Sequence, residues 1–207
     1  LMGNASRVAG VIPASMPGFR SEMAMARRDP ARARALLAQA PAGWADRPLD
    51  FMAFNAGPLV QLIQSNLREV GIETRVTRAS PSAVDQRRAG GDFDCFVDGV
   101  AADYSDPSVV INVSFSPDGI GRGGLNFSRF ADPSISAAMA SAAAEREPAA
   151  RMQAYARVEA AILSRTPVIP LYSSMKVMAM SNRIAAAPLN PHRPSALDVP
   201  RFELTKA

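Results

Sequence analysis

Apolar residues follow two different periods in the first half of the chain. Over residues 59–70 they recur at helical spacing, and Gly71 follows as a C-cap. Residues 72–78 instead alternate apolar and polar side chains, which is typical of a strand. Shorter segments complete the pattern, with strands predicted at residues 49–55 and 93–97 and a helix at 82–89. This alternation of strands and helices predicts parallel strands joined by right-handed crossovers.

Three aspartate–proline pairs predict helix starts. Asp29, Asp106 and Asp132 each precede a proline; aspartate is a preferred N-cap, and proline is favoured in the first helical turn. The predicted helices run over residues 30–40 and 107–113, with further helices starting at residues 133 and 148. We therefore assign all three aspartates a structural role.

The two ends of the chain have no strong period. Prolines interrupt residues 1–28, which we predict to be irregular, and residues 167–173 and 176–181 are predicted to be strands. From residue 187 onward the chain is rich in proline, which favours an extended arm. The predicted organisation is one α/β lobe, residues 1–186, followed by a proline-rich C-terminal arm, residues 187–207.

Composition excludes several classes of protein. Apolar residues make up 48% of the chain and charged residues 20%, as in ordinary folded proteins. The net charge is +4, but the arginines are spread along the chain and aromatic residues are only 6%, so we predict no nucleic-acid partner. Cys95 and His192 are the only cysteine and histidine, so we predict neither a metal site nor a cofactor.

The start of the chain carries no targeting signal. It lacks a leading methionine and the basic and apolar segments of a signal peptide. No stretch has the length of a membrane span. We expect a processed product or a fragment of a longer protein.

The segment from Gly90 to Pro107 carries the strongest candidate chemistry. It runs from a glycine turn through the third predicted strand into a polar loop that contains Asp103. Ligands usually bind at the carboxyl ends of strands in open α/β sheets. Two interpretations of Asp103 stay open: a turn aspartate that bonds its own backbone, or an anchor for a cationic group such as a free amine.

Catalysis is poorly supported by the sequence. There is no Gly-x-Ser-x-Gly motif, and the Gly-Ile-Gly-Arg-Gly-Gly loop lacks the ending of a phosphate-binding loop. Asp92, Asp94 and Asp98 alternate along the third strand and are expected at solvent or in a hydrogen-bonded rim. The alternative from another class is a hydrolase or transferase that uses Asp103 with Asp98 or Asp106, but it needs a second catalytic group that the sequence does not offer.

Several motifs occur in the order and spacing of one known family. They are Asp29-Pro30 with the turn at Gly43-Trp44, Ile63 to Gly71-Ile72, Gly91-Asp92-Phe93-Asp94, Asp103-Tyr104-Ser105-Asp106-Pro107, Asn126 to Pro133, and Arg151 to Tyr172. Over these motifs the chain resembles the C-terminal lobe of family 5 of the bacterial extracellular solute-binding proteins. That family serves the oligopeptide, dipeptide and nickel ABC importers.

The resemblance implies a fold and a function. The fold is one lobe of a type II periplasmic-binding-protein-like structure, with a parallel or mixed sheet flanked by helices. The function is that of a non-enzymatic substrate-binding component, which captures a solute between two lobes and delivers it to ABC permease subunits. The implied location is periplasmic or lipid-anchored and extracytoplasmic, with membrane contact only through the permease. A sensory domain built on the same lobe is a further alternative.

The resemblance also implies a binding site. In peptide-binding members the first aspartate of the Asp-Tyr-x-Asp-Pro segment pairs with the free amino group of the ligand, which makes Asp103 the amine anchor. Gly99, Val100, Ala101 and Tyr104 would lie beside the ligand.

The implied solute is small and amine-bearing. Peptide binders often carry tryptophan where this chain has Val100, and some carry arginine where it has Val97. The resemblance with these departures implies a peptide, an opine or an amino sugar. Because two lobes normally close over the solute, we expect one lobe alone to bind weakly.

Overall fold

The computed structural model describes residues 3, 5–44, 46–53, 57–175, 179–190, 193–197 and 201–205 of the 207-residue chain. The helices in these residues are α1 (Pro30–Leu37), α2 (Pro58–Glu69), α3 (Pro81–Gly90), α4 (Ser108–Phe115), α5 (Pro133–Ala144) and α6 (Pro148–Arg165). The strands are β1 (Ala5–Arg7), β2 (Leu49–Ala53), β3 (Thr74–Arg78), β4 (Cys95–Phe96), β5 (Tyr172–Ser174), β6 (Ile184–Ala186), β7 (Leu189–Asn190), β8 (Arg193–Leu197) and β9 (Glu203–Leu204).

The chain divides into two compact units. The sheet unit contains Ala26–Gly99 and Ile120–Phe127, and the helical unit contains Leu1–Met25, Val100–Gly119 and Ser128–Ala207. The division into residues 1–186 and 187–207 stays a prediction. Within the predicted arm, β7 and β8 pair antiparallel.

The sheet unit is built on the predicted parallel sheet. Its central strand, β2, pairs in parallel with β3 on one side and with β4 on the other, which confirms the predicted parallel strands. Strand β4 is shorter than predicted. Directly after it, the carboxylate of Asp98 accepts a hydrogen bond from the N–H of Gly99 at 2.8 Å, and such local bonds compete with a strand ladder. The end of the first predicted strand, residues 54–55, lies outside the described residues.

Local signals fix the helices of this unit. The side chain of Asp29 caps α1 by accepting from the N–H of Arg32, and Ser80 caps α3 in the same way. Gly71 and Gly91 end α2 and α3 with positive φ angles of 91° and 74°, a conformation that favours glycine. Helix α1 was predicted to continue to about residue 40, but it ends at Leu37 and has no buried residue.

The helical unit contains the larger apolar core. Helices α4, α5 and α6 enclose buried side chains together with part of the N-terminal segment, namely Ile12, Met16, Val109, Val110, Ile111, Phe115, Ile135, Met139, Ala142, Tyr155, Val158 and Ile162. On α5, Ile135, Met139 and Ala142 are buried, whereas Ala138 is exposed. Asp132 caps α5 as predicted, accepting hydrogen bonds from the N–H groups of Ser134 and Ile135.

Antiparallel strand pairs were the main features missed in this unit. Strand β1 pairs with β5, so residues 1–28 are not wholly irregular. The strand predicted over residues 167–173 is reduced to β5, and residues 179–181 are not a strand. Strands β6 and β9 also pair. His192 lies outside the described residues. None of the described helices combines the length and apolarity that crossing a bilayer requires.

Candidate ligand-binding site

The loop around Asp103 lies at the start of Val100–Gly119, one of the three segments that form the helical unit. Asp103 is exposed, and no hydrogen bond or ion pair joins its carboxylate to another of the residues that the structure describes. The turn interpretation requires this carboxylate to accept a hydrogen bond from a nearby backbone N–H, and the described residues show no such bond. The carboxylate is therefore available to a cation from outside the chain.

The other predicted site residues are also at the surface. Val100 is 39% exposed and Tyr104 is 47% exposed, which are large fractions for apolar and aromatic side chains. Ala101 is exposed as well. Gly99 belongs to the sheet unit, and a β-carbon added to it would meet open space. The loop thus presents a carboxylate together with an aliphatic and an aromatic side chain.

Asp103 has fixed neighbours on both sides. Ala102 packs against the apolar core of the helical unit. The carbonyl of Tyr104 accepts a hydrogen bond from the N–H of Asp106 at 3.1 Å. The hydroxyl groups of Tyr104 and Ser108 lie 3.4 Å apart. The backbone of the loop is therefore tied down although the Asp103 side chain is not.

Asp106 is occupied by two structural roles. One carboxylate oxygen accepts from the N–H of Ser108 at 2.9 Å, at the start of α4. Both oxygens also accept from Arg151, at 2.8 Å from Nε and 2.9 Å from Nη2. Burial raises the pKa of Asp106, but the hydrogen bonds from Arg151 and Ser108 outweigh it and lower the pKa to about 2. Asp106 is thus held ionised as an ion-pair partner; the prediction that it is the N-cap of the helix was wrong, because α4 begins at Ser108 and its N-cap is Pro107.

The aspartates of the sheet unit are occupied as well. Asp94 pairs with Arg47, and its pKa is lowered to about 2, mainly by that hydrogen bond. Asp98 lies 2.8 Å from Arg88. Asp92 pairs more loosely with Arg87 at 3.4 Å. These pairs confirm the expected hydrogen-bonded rim and explain the adjacent arginines on α3. The enzyme alternative would combine Asp103 with Asp98 or Asp106, and each of these two acids already forms an ion pair with an arginine.

Neither Cys95 nor a metal site offers reactive chemistry in the described residues. The thiol of Cys95 is half-buried, and desolvation raises its pKa to about 11. Among the described residues, no three histidine, cysteine or acidic side chains converge as metal ligands. Arg122, in the glycine-rich loop, is exposed. This leaves Asp103 as the strongest ligand-contacting candidate.

Sequence reasoning missed one buried acid. Glu159 on α6 is 1% exposed and accepts hydrogen bonds from the N–H groups of Val11 at 2.7 Å and Ile12 at 2.9 Å. Arg20 donates to its other oxygen at 3.2 Å. A β-carbon at Gly10 would overlap this carboxylate, so glycine is needed there. No sequence signal separates Glu159 from a solvated helical glutamate, because its partners are backbone groups nearly 150 residues away.

Proteins of known structure share the fold. HbpA2 from Haemophilus parasuis superposes with a TM-score of 0.84 at 20% identity, over 99% of this chain and 41% of that protein. The dipeptide-binding protein from Pseudoalteromonas sp. SM9913, in complex with Met-Leu, gives a TM-score of 0.76 at 22% identity, with 99% and 41% coverage. This chain therefore shares the fold of these proteins, and the predicted α/β fold is confirmed.

The sequence matches one family. The profile described as "Bacterial extracellular solute-binding proteins, family 5 Middle" matches residues 1–122, more than half of the chain. The chain belongs to this family, whose members are non-enzymatic transport components. The predicted family and the prediction that the chain is not an enzyme are confirmed.

Curated relatives are considerably longer. The probable ABC transporter periplasmic-binding protein SapA of Escherichia coli (strain K12) is 24% identical over 197 residues, which is 91% of this chain and 36% of the relative. The probable di/tripeptide-binding protein 5 of Pseudomonas aeruginosa (strain UCBPP-PA14) is 27% identical over 173 residues, 82% of this chain and 33% of the relative. The chain spans about a third of the length of these two relatives.

Proposed function

We propose that this chain is part of the substrate-binding component of an ABC importer for peptides or similar small amine-bearing solutes. Membership of family 5 supports this role, as do relatives that are named as periplasmic-binding and di/tripeptide-binding proteins. Residues 1–186 supply the C-terminal lobe of a two-lobed protein in the periplasm, and residues 187–207 form its arm. The permease subunits of the importer receive the solute.

Asp103 is the proposed anchor for the amino group of the solute. The observation that carries the proposal is an exposed carboxylate, unpaired within the described residues, in a loop whose other acid is already taken by Arg151. A charge-assisted hydrogen bond from an ammonium group to such a carboxylate is about twice as strong as a neutral one. Gly99, Val100, Ala101 and Tyr104 lie beside the solute in this proposal.

The size of the side chain at Val100 bears on the choice of solute. Valine covers less of a ligand than the tryptophan that peptide binders often carry there, which favours a small solute such as a short peptide or an opine. An amine is common to these solutes, so the same anchor serves each of them.

A binding screen tests the anchor. We expect Met-Leu, the tetrapeptide Ser-Thr-Ser-Ala or an opine to raise the thermal midpoint as its concentration rises, because a ligand of the native state stabilises it by mass action. N-acetylation of the solute and Asp103→Asn should each weaken binding by about tenfold or more, since either removes one charge of the ion pair. No shift with any of these solutes, or an unchanged affinity in Asp103→Asn, would contradict the proposal.

Glu22→Gln is the matched control for this screen. Glu22 is an exposed acid of the same unit, and no hydrogen bond joins its side chain to the described residues. Its substitution should leave binding unchanged. A two-lobed version should bind more tightly than this chain alone, because one lobe makes only part of the contacts; equal affinity would argue against closure of two lobes.

A further inference from the structure

The Asp106–Arg151 pair joins three helices of the helical unit at one point. Arg151 lies in the first turn of α6, and Asp106 precedes α4. Besides its two bonds to Asp106, the guanidinium group donates from Nη1 to the carbonyls of Ala142 at 2.9 Å and Ala143 at 2.8 Å, at the end of α5. Its side chain is only 19% exposed. A bidentate, half-buried pair of this kind fixes both direction and distance.

This junction lies three residues from Asp103 along the chain. Asp106 holds Tyr104 through the bond between its N–H and the Tyr104 carbonyl. On the other side, Ala102 packs on the apolar core. Two fixed points therefore flank Asp103 and restrict where its carboxylate can lie.

We propose that Arg151 and Asp106 are positioning residues, which hold the backbone of Asp103 in the geometry that receives the ammonium group of the solute. This inference rests on the proposed function of Asp103. The solute contacts Asp103, and Arg151 acts on binding only through the loop. The pair has a second effect on charge, because Asp106 occupies the guanidinium group of Arg151 and leaves the charge of Asp103 for the solute.

The chain provides a matched control pair. Like Asp106, Asp132 precedes a proline, and it caps α5. Its partner Arg165 also lies on α6, with Nε at 3.3 Å from the carboxylate. Arg165 is 61% exposed, and this pair has no bond to the loop of Asp103 among the described residues. Arg165→Lys therefore changes the same chemistry at a place where no positioning is expected.

The first measurement needs no ligand. Nitrogen-15 relaxation gives the backbone order parameter of Asp103 in the wild type, Arg151→Lys, Asp106→Asn and Arg165→Lys. We expect a value of about 0.85 in the wild type and in Arg165→Lys, and below about 0.6 in the other two variants. Asp106→Asn keeps an oxygen for the N–H of Ser108, so it serves if Arg151→Lys does not fold. An unchanged order parameter in both loop variants, or an equal fall in Arg165→Lys, would overturn the inference.

The second measurement is a double-mutant cycle with the dipeptide Met-Leu. Arg151→Lys should weaken binding by about tenfold, and it should have no further effect in the Asp103→Asn background because it acts through that residue. Equal weakening in both backgrounds, or no weakening, would overturn the inference. If the wild type does not bind Met-Leu, the proposed function fails for this solute, and the order parameters alone decide whether Arg151 positions Asp103.

Discussion

The sheet unit and the helical unit are stabilised internally in different ways. Among the described residues, the main apolar cluster of the helical unit contains twelve buried side chains, and that of the sheet unit contains three, Phe51, Ala53 and Val60. The sheet unit instead has a dense set of arginine–aspartate pairs around β2, α3 and β4. Buried apolar area contributes about 25 cal/mol per Å², whereas an exposed ion pair contributes about 0 to 1 kcal/mol. The loop of Asp103 therefore belongs to the unit with the larger apolar core.

Each unit carries its own spectroscopic reporter. The single tryptophan of the sequence, Trp44, lies in the sheet unit, and the three tyrosines, Tyr104, Tyr155 and Tyr172, lie in the helical unit. Tryptophan fluorescence and the near-ultraviolet circular dichroism of tyrosine can therefore follow the two units separately in one sample.

The largest expected effect is the loss of apolar packing in the helical unit. Ile162→Ala removes a side chain that is 0% exposed on α6, and we expect it to lower the free energy of unfolding by about 4 kcal/mol through lost burial and a cavity. Urea unfolding followed by the tyrosine signal measures this change. Ile169→Ala is the control; Ile169 lies in the same unit and is 75% exposed, so its loss should lower the free energy of unfolding by no more than about 0.5 kcal/mol. Similar losses in both variants would contradict the comparison.

The buried acid of the helical unit should give the next largest effect. Glu159→Gln keeps one oxygen for the N–H groups of Val11 and Ile12 but removes the charge that pairs with Arg20. We expect a loss of about 2 kcal/mol in the free energy of unfolding, since hydrogen bonds to a charged group are the stronger ones. Chemical denaturation measures it, with the exposed Glu22→Gln as control. If Glu159→Gln lowered the free energy of unfolding by less than the control variant does, Glu159 would not be a stabilising residue.

Acid should separate the two units. Hydrogen bonds from Arg47 lower the pKa of Asp94 to about 2, below its ordinary value of 3.8, so folding favours the ionised form. The stabilisation from Asp94 is therefore fully present above about pH 4 and is lost as the pH falls through about 2. The pKa of Asp106 in the helical unit is also lowered to about 2, so its stabilisation is lost over the same pH range. The larger apolar core of that unit is not affected by this protonation.

We expect Trp44 fluorescence to change at a higher pH than the tyrosine signal during an acid titration between about pH 4 and 2. Asp94→Asn should shift the tryptophan transition and leave the tyrosine transition in place. Coincident transitions would show that the two units lose structure together, which would contradict this expectation.

The smallest expected effect is that of a single exposed pair. The side chain of Arg47 is 66% exposed, so Arg47→Ala should lower the free energy of unfolding by less than about 1 kcal/mol. Arg87→Ala should lower the free energy of unfolding by more, because the side chains of Arg87 and Asp50 are only 19% and 15% exposed and their ion pair is less screened by water. Urea unfolding followed by Trp44 should rank Arg87→Ala above Arg47→Ala. The reverse order would mean that burial does not set the contribution of these pairs.

Local and periodic signals predicted much of the fold. The caps at Asp29 and Asp132, the glycine end of α2 and the parallel order around β2 follow from residues close in sequence. Pairings between distant residues left no such signal. Strand β1 meets β5 about 165 residues later, and Asp106 meets Arg151 45 residues later. Asp103 was identified from its place after a strand and by resemblance, whereas the residues that fix its loop came only from the structure.

The half-buried thiol of Cys95 has a practical consequence for labelling. With a pKa of about 11 it remains almost wholly protonated at neutral pH, so thiol-specific reagents will scarcely modify the native chain. A dye attached through Val100→Cys would then sit at one known surface position beside Asp103. Its emission could report solute arrival in real time, with no need to remove Cys95 first.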